Sequence, residues 1–445
     1  MHSKAHSHSP IFGTSWSPAN VAFTSQLTPL FLIFLFLFVT LAAQPATAQA
    51  LSVLYTFTGG ADGASPLEMI MDAAGNLYGV TLSGGTGSCS IEGIAGCGTI
   101  FELKKHNSSY TFNSLYSFQG GTDGEAPQRP LTLGPNGTYY GTTFGGGEGT
   151  CNYEGILECG VVFNAGANPT PPRTPLLKFR ENVLYRFSGG SDGANPVSTV
   201  VFDKAGNIYG TTSSGGEYGH GSVFELSPAR GGTYTETVLY SFCPVQPPFC
   251  PDGAGPDDGV IFDNAGNLYG TTVSGGSYGN GAVFELSPSG VGWTESLLHS
   301  FEGENDGRTP ESGLAMDTAG NLYGNTSFGG SGGNGGGTVY ELGLNGFNVL
   351  YSLASGYYSA ADRVTLDSSG NLYETVALGG FWGCGQVLEL ANTGGNWTYI
   401  DLWDFTGSND GCNPSGSVVL DSSGNLYGTA EGGNNGYGVV WEITP

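Results

Sequence analysis

The stretch Asp263-Asn264-Ala265-Gly266-Asn267-Leu268-Tyr269-Gly270-Thr271-Thr272 occurs, in close copies, seven times along a chain of 445 residues. The other copies begin at Asp72, Gly134, Asp203, Asp317, Asp367 and Asp421. Their tyrosines fall at Tyr78, Tyr140, Tyr209, Tyr269, Tyr323, Tyr373 and Tyr427, in steps of 62, 69, 60, 54, 50 and 54 residues. A repeat of this period and number signifies a propeller, a solenoid or an array.

Around the decapeptide the unit resolves into four short strand signals. Val238-Leu239-Tyr240-Ser241-Phe242 precedes it, across a Pro/Gly loop that runs to Pro256. Gly259 to Asp263 and Asn267 to Thr272 flank the Asn264-Ala265-Gly266 turn, and Ala282-Val283-Phe284-Glu285-Leu286 follows a glycine loop. β-branched and aromatic runs punctuated by Gly, Asn, Asp and Pro are hairpin signals. Gly266 supplies the positive φ such a turn needs, and Asp263 can cap it with its carboxylate. Antiparallel four-stranded units in series predict an all-β protein, a seven-bladed β-propeller.

The two ends predict how the ring closes. Val53 to Phe57 matches the outermost strand of a blade, while Val439 to Ile443 matches the third strand and has no fourth after it. The N-terminal strand is therefore expected to complete the last blade, which leaves no long sheet edge open. The blades are unequal. Blade 2 carries Gly134 in place of the turn aspartate and a proline-rich excursion from Asn168 to Pro175. Blade 5 has a nearly pure glycine loop from Gly329 to Gly337, and blade 6 has Glu374 where glycine usually stands.

The seven Gly-Asn-Leu-Tyr-Gly-Thr-type hairpins, with the Ser-Gly-Gly…Gly-x-Val-Phe-Glu-Leu stretches after them, resemble the GloVer tandem repeat of exported bacterial proteins. The resemblance covers essentially everything after position 51. It implies export and a propeller-like array; it implies no reaction and carries over no functional residue. The chain departs from many members in ending at Ile443-Thr444-Pro445 without a sorting tail.

Residues 1–50 read as a signal peptide. Lys4 and three histidines precede an apolar run from Leu30 to Ala43, shorter than the ~20 residues that span a bilayer as a helix. Small-residue patterns place cleavage near Ala48 or Ala50, so residues 51–445 form the propeller domain. The whole chain carries a formal charge of -26. No Asp or Glu precedes position 51, so the mature part has 38 acids against 11 bases. That surface repels phosphate backbones and excludes nucleic acid as a partner. No membrane span is expected in the mature chain. The expected location is secreted, periplasmic or at the cell surface.

All eight cysteines lie in the mature part, as suits an oxidising compartment. Cys89 with Cys97 and Cys151 with Cys159 share one loop position, between the second and third strands of blades 1 and 2. Cys243 with Cys250 fall in the loop entering blade 4. Cys384 and Cys412 fall in loops that the ring makes neighbours, so four disulfides are predicted in those pairs. All these loops open on one face.

The same face carries a recurrent Asp-Gly at Asp62, Asp123, Asp192, Asp252, Asp306 and Asp410. Repetition in nearly every blade favours a turn signal. A carboxylate ring near the mouth is the alternative, with Asp62, Asp123, Asp192, Asp306 and Asp410 as calcium ligands. Tyr218, Tyr278, Phe381, Trp382 and Tyr437 lie on the second-to-third-strand loops, where aromatic rings stack on sugars or anchor a partner. Catalysis is poorly provided for. The mature histidines are only His106, His220 and His299, and the recurrent Glu102, Glu225, Glu285, Glu341, Glu389 and Glu442 follow a packing rule. No catalytic residue and no cofactor is assigned. The sequence is read as an exported binding module for a polysaccharide or an envelope protein. A calcium-dependent hydrolase or lyase and a self-assembling surface protein are the alternatives.

Overall fold

The computed structural model describes residues 49–444, apart from 136, 148, 150, 154–155, 158, 168–178, 246–249, 291, 331–334 and 360–362. Residues 1–48 of the expected leader, and the proline-rich excursion, lie outside these residues. So does the middle of the blade 5 glycine loop. The described chain forms seven four-stranded antiparallel sheets in a ring. From channel to rim, blade 1 is built of Ala64–Met71, Leu77–Ser83, Thr99–His106 and Ser109–Ser117. Blade 4 repeats this with Ile261–Phe262, Leu268–Thr272, Ala282–Ser289 and Gly292–Ser300. Apart from a short 3-10 turn at Gly121–Asp123, no helix occurs among the described residues. None is long and apolar enough to cross a membrane.

Blade 7 takes Cys412–Leu420, Leu426–Glu431 and Val439–Thr444 from the end of the chain and Ala50–Thr56 from its start. The closing pair is antiparallel, with Ala50 opposite Thr444 and Thr56 opposite Val439. The ring therefore closes as the offset of the repeats predicts.

The decapeptide works as a turn. Asp263 Oδ1 accepts the N–H groups of Ala265 and Asn267 at 2.8 and 2.9 Å, and Oδ2 accepts Asn267 Nδ2 at 2.9 Å and Tyr269 Oη at 3.2 Å. Gly266 sits at φ +93° with empty space where a Cβ would be. Partial burial of Asp263 works against its charge, and the donors from Asn267 and Ala265 override it, holding the carboxyl below its ordinary range. The tyrosine also reaches the third-strand glutamate, as in Tyr78 to Glu102 at 3.0 Å and Tyr427 to Glu442 at 2.8 Å. Tyr323 makes the same contact with Glu341, whereas Glu225 and Glu285 accept from Ser227 and Ser287 on their own strands. Blade 2 lacks both partners, having Gly134 and Asn164 at these positions.

The two threonines that end the motif have separate tasks. The first reaches the next blade: Thr211 Oγ1 donates to Asp258 O and Thr271 Oγ1 to Ser312 O, both at 2.8 Å. The second caps its own loop, as Thr272 Oγ1 does at Ser274 O, 3.2 Å away.

Between the blades lies an aromatic layer. Phe242 meets Phe284 edge to face at 5.0 Å between centroids, and Phe57–Phe101, Phe118–Phe163, Phe187–Phe224 and Phe301–Tyr340 repeat the contact within 5.3 Å. Gly270 in the motif leaves room for this ring; a Cβ there would sit 2.6 Å from Phe284 Cζ. A register shift recurs between the third and outermost strands, for example between Val283 and Phe284. It is a β-bulge that bends the outermost strand around the rim.

Candidate functional site

The innermost strands of blades 2 to 6 next to the motif are two residues long, for example Thr132–Leu133 and Thr365–Leu366. The segments before them, which follow Pro127, Pro196, Pro256 and Pro310, line the centre of the ring instead of pairing. Here the blades differ most. Blade 2 contributes Arg129, blade 4 Asp257 and Asp258, blade 5 Glu311 and blade 6 Arg363, while blade 3 has Ser198 and Thr199.

These groups meet across the ring. Arg129 Nη2 lies 3.4 Å from Asp257 Oδ2 and also donates to the Asp257 carbonyl. Arg363 Nη2 lies 3.6 Å from Asp258 Oδ2. The Asp258 carboxylate further accepts the N–H groups of Gly313 at 2.9 Å and Gly259 at 2.5 Å. Glu311 accepts Tyr358 Oη at 3.1 Å and Ser327 Oγ at 2.5 Å. On the blade 7 to blade 1 side, Glu68 accepts the Ser417 N–H at 3.0 Å.

Two adjacent aspartates are thereby driven apart in protonation. Burial opposes the charge of Asp258, but Arg363, Arg129 and two backbone N–H groups hold its carboxyl below the ordinary range. Asp257 is pushed up to about 6 by burial, against the pull of Arg129 and with help from Glu311 and Asp258. These carboxylates face guanidinium and amide donors, an arrangement that stores paired charge and differs from an oxygen cage open to a cation.

Above this charged waist, on the disulfide-bearing face, lies a cavity of about 430 Å³. Leu67 and Leu82 of blade 1, Gln128 and Arg129 of blade 2, and Tyr358, Ala377 and Leu378 of blade 6 line it. Blade 7 completes the wall with Asn413, Pro414, Ser415 and Glu431. Asn413 Nδ2 donates to Glu431 Oε2 at 3.2 Å, which fixes two polar groups on one wall. Across the waist a second cavity of about 440 Å³ is mostly apolar, with Met71, Leu133 and Val201 among its lining.

The four disulfides are Cys89–Cys97, Cys151–Cys159, Cys243–Cys250 and Cys384–Cys412, the pairs predicted from loop position. The first two loops each hold a small two-stranded ribbon, Ser90–Ile91 with Ile94–Ala95 and Asn152–Tyr153 with Ile156–Leu157. Ile91 folds inward onto Ala126, Phe144 and Val197, so the blade 1 loop covers the mouth on that side. The described residues bring His220 to Cys243 and Cys250, and Glu125 to Cys89 and Cys97; in both, the two sulfurs are joined.

The recurrent aspartates sit at the outer seams and not at the mouth. Each accepts from its own turn and from the last blade's outermost strand. Asp62 takes Thr58 N and Tyr55 Oη, Asp192 takes Ser188 N and Tyr185 Oη, and Asp410 takes Thr406 N and Trp403 Nε1. Asp123 accepts Tyr116 Oη, and Asp306 lies 3.0 Å from His299 Nε2. His299 also stacks on Phe347 at 3.8 Å, which makes it a packing residue.

The aromatic candidates are dispersed. Tyr218 borders a separate groove at the rim with Glu217 and Tyr240. Tyr278 is exposed on blade 4, and the Tyr437 ring lies over Gly59. Phe381 and Trp382 stand on the loop that follows Ala377 and Leu378 of the cavity wall, and Tyr437 on the loop that follows Glu431 of the same wall. Sequence reasoning missed Arg129, Asp257, Asp258, Glu311 and Arg363. For the first four the signal was present as charged residues just after the entry proline, near where blade 3 has Ser198 and Thr199; Arg363 follows no such proline.

The sequence pattern of the Gloeobacter/Verrucomicrobia repeat matches residues 149–365 and 256–445, and the chain belongs to that family. No curated protein matches it. Among solved structures, the extracellular domain of a provisionally assigned one-component system from B. thetaiotaomicron superposes with a TM-score of 0.50 at 10% identity, over 88% of this chain and 40% of that one. A provisionally assigned 6-phosphogluconolactonase from Bacteroides uniformis gives 0.46 at 12% identity, over 78% and 86%. The PQQ domain of pyranose dehydrogenase from Coprinopsis cinerea gives 0.42 at 13%, over 90% and 96%. At these identities the likeness concerns the fold alone, and the chain spans less than half of the first of these proteins.

Proposed function

We propose that the protein is an exported binding module whose ligand docks in the mouth cavity on the disulfide-braced face, and that this ligand is a neutral saccharide of an envelope or extracellular polysaccharide. The observation that carries the reading is the convergence of Gln128, Tyr358, Asn413, Ser415 and Glu431 from three blades on one cavity of about 430 Å³ floored by a guanidinium. Concave, mostly apolar sites with a few convergent polar groups are where propellers and other scaffolds take small ligands. The formal charge of -26 disfavours polyanions. Four disulfides in a chain of this size support export.

A screen of immobilised neutral polysaccharides tests the reading. Binding should be seen with the wild-type protein and lost in Ala377→Trp, which fills the cavity while leaving every ion-pair residue in place. Equal retention of both proteins would move the site elsewhere. Light scattering that grows with concentration, without any saccharide bound, would favour a self-assembling surface protein.

A further inference from the structure

We infer that the ligand is a polymer whose chain continues from the mouth cavity onto Trp382 and Phe381, which form a second subsite; this rests on the reading of the mouth as a saccharide site.

The loop that joins the second and third strands of blade 6 begins at the cavity, with Ala377 and Leu378 in its wall. It then folds tightly on itself. Gly385 N donates to Gly379 O at 3.0 Å and Gly383 N to Gly380 O at 3.4 Å. Phe381 and Trp382 stand at the tip, 80% and 61% exposed, their rings edge to face at 4.9 Å. The equivalent tips of blades 3 and 4 carry one tyrosine each, Tyr218 and Tyr278, so this pair is a feature of blade 6.

The tip is fixed to the cavity wall from the other side. Cys384 is bonded to Cys412, and Asn413 N donates to Cys384 O at 2.8 Å. Asn413, Pro414 and Ser415 are the blade 7 wall of the cavity. At the base of the loop the Tyr357 ring covers Gly379, where a Cβ would lie 2.3 Å from Tyr357 Cδ1. Cavity wall and aromatic tip are therefore one braced unit.

A rigid pair of exposed rings next to a hydrogen-bonding cavity suits a sugar chain. One unit is held by polar groups, and the following units lay their C–H faces on the rings. At about 430 Å³ the cavity is near the small end of ligand sites, so a longer chain has to leave it over the rim. Charge agrees with a neutral polymer, since the chain as a whole is strongly acidic.

Isothermal titration with dimers and hexamers of β-1,4-glucose, β-1,3-glucose, β-1,4-xylose and β-1,4-N-acetylglucosamine decides the matter. For the sugar recognised, the hexamer should bind roughly tenfold tighter than the dimer. Phe381→Ala combined with Trp382→Ala should abolish that ratio and leave dimer affinity in place. Cys384→Ser combined with Cys412→Ser should do the same, because the tip loses its brace. Gln128→Ala should weaken dimer and hexamer alike. A hexamer-to-dimer ratio that survives the aromatic substitutions overturns the second subsite while the mouth site stands. Failure of every wild-type pair to bind overturns both.

Discussion

Glu374 pairs with Leu388 in the ladder of blade 6, at a position where other blades oppose a glycine to an aromatic ring. Gly270 faces Phe284, Gly324 faces Tyr340 and Gly428 faces Trp441. The smaller leucine leaves room for a carboxylate, and Asn325 of blade 5, standing where siblings have threonine, donates to Glu374 at 3.1 Å. Three departures from the repeat thus form one structural exchange. Leu388→Phe alone should destabilise the protein by about 2 kcal/mol through overpacking against Glu374. The triple variant Asn325→Thr, Glu374→Gly, Leu388→Phe should recover most of that loss in urea denaturation. Simple addition of the single effects would sink the account.

The pair formed by Arg129 and Asp257 links blade 2 to blade 4 over the channel. Arg129 is nearly buried but a third of the Asp257 side chain is exposed, so Arg129→Ala should cost about 1–2 kcal/mol, less than a fully buried pair would lose. Arg129→Met combined with Asp257→Leu should cost less than the single change. Denaturation midpoints of the four proteins in the cycle measure the difference.

Two glycines of similar φ should respond differently to alanine. Gly266, at +93°, has nothing near its would-be Cβ, whereas at Gly281, at +97°, that atom would meet Thr272 O at 2.4 Å and Pro310 Cδ at 2.5 Å. Gly266→Ala should cost about 1 kcal/mol of backbone strain. Gly281→Ala should cost roughly 3 kcal/mol, because the loop entering blade 5 has to move. Calorimetry that ranks them equally would show that the Gly–Pro contact does not hold the seam.

Stability should fall as pH rises from about 5 to 8. Burial, helped by the carboxylates of Asp123, Asp192 and Asp252 respectively, pushes Glu181 up to about 8 and Glu236 and Glu295 up to about 7. The Oε1 atoms of these three glutamates are buried without a hydrogen-bond partner. The folded ring keeps these protons above the pH at which the unfolded chain releases them, so the stability present in mild acid is lost as pH climbs through the raised values. Asp257, at about 6, acts in the same sense. Asp263, Asp317 and Asp421 have lowered values and act oppositely, their contribution vanishing only in stronger acid. The melting temperature should therefore peak in mild acid. The triple variant Glu181→Gln, Glu236→Gln, Glu295→Gln should flatten the alkaline side; an unchanged slope would show that these seams are not its source.

Blade number, ring closure and disulfide pairing were legible because they depend on what recurs. Asp263, Gly266 and Asn267 build a turn from local contacts, and seven copies average out the noise of any single one. The channel was illegible for the converse reason. Arg129, Asp257 and Arg363 are far apart in the chain, and each looks like a stray surface charge until the ring brings it inward. The recurrent aspartates were read as turn signals on this face, with a carboxylate ring near the mouth as the alternative. Their true partners, such as Tyr185 for Asp192, lie on the outermost strand, which the loop sequence alone does not reveal. Glu374 was visible as an irregularity, but its meaning needed Leu388 and Asn325 beside it.

The pairing of Ala50–Thr56 with Val439–Thr444 has a consequence for how the chain reaches its native state. The strand made first has no partner until the strand made last is available. Until then blade 7 is missing its outermost strand, and no ring of this closure can be complete. Most other contacts are between sequence neighbours within a blade or in adjacent blades and can form as each unit appears. The final clasp is the exception. It has the longest loop to close, and it sets the entropy barrier for the whole ring. Folding should accordingly be fast within blades and slow at one seam, so that a chain truncated before Val439 accumulates as an open, sticky crescent instead of a smaller propeller.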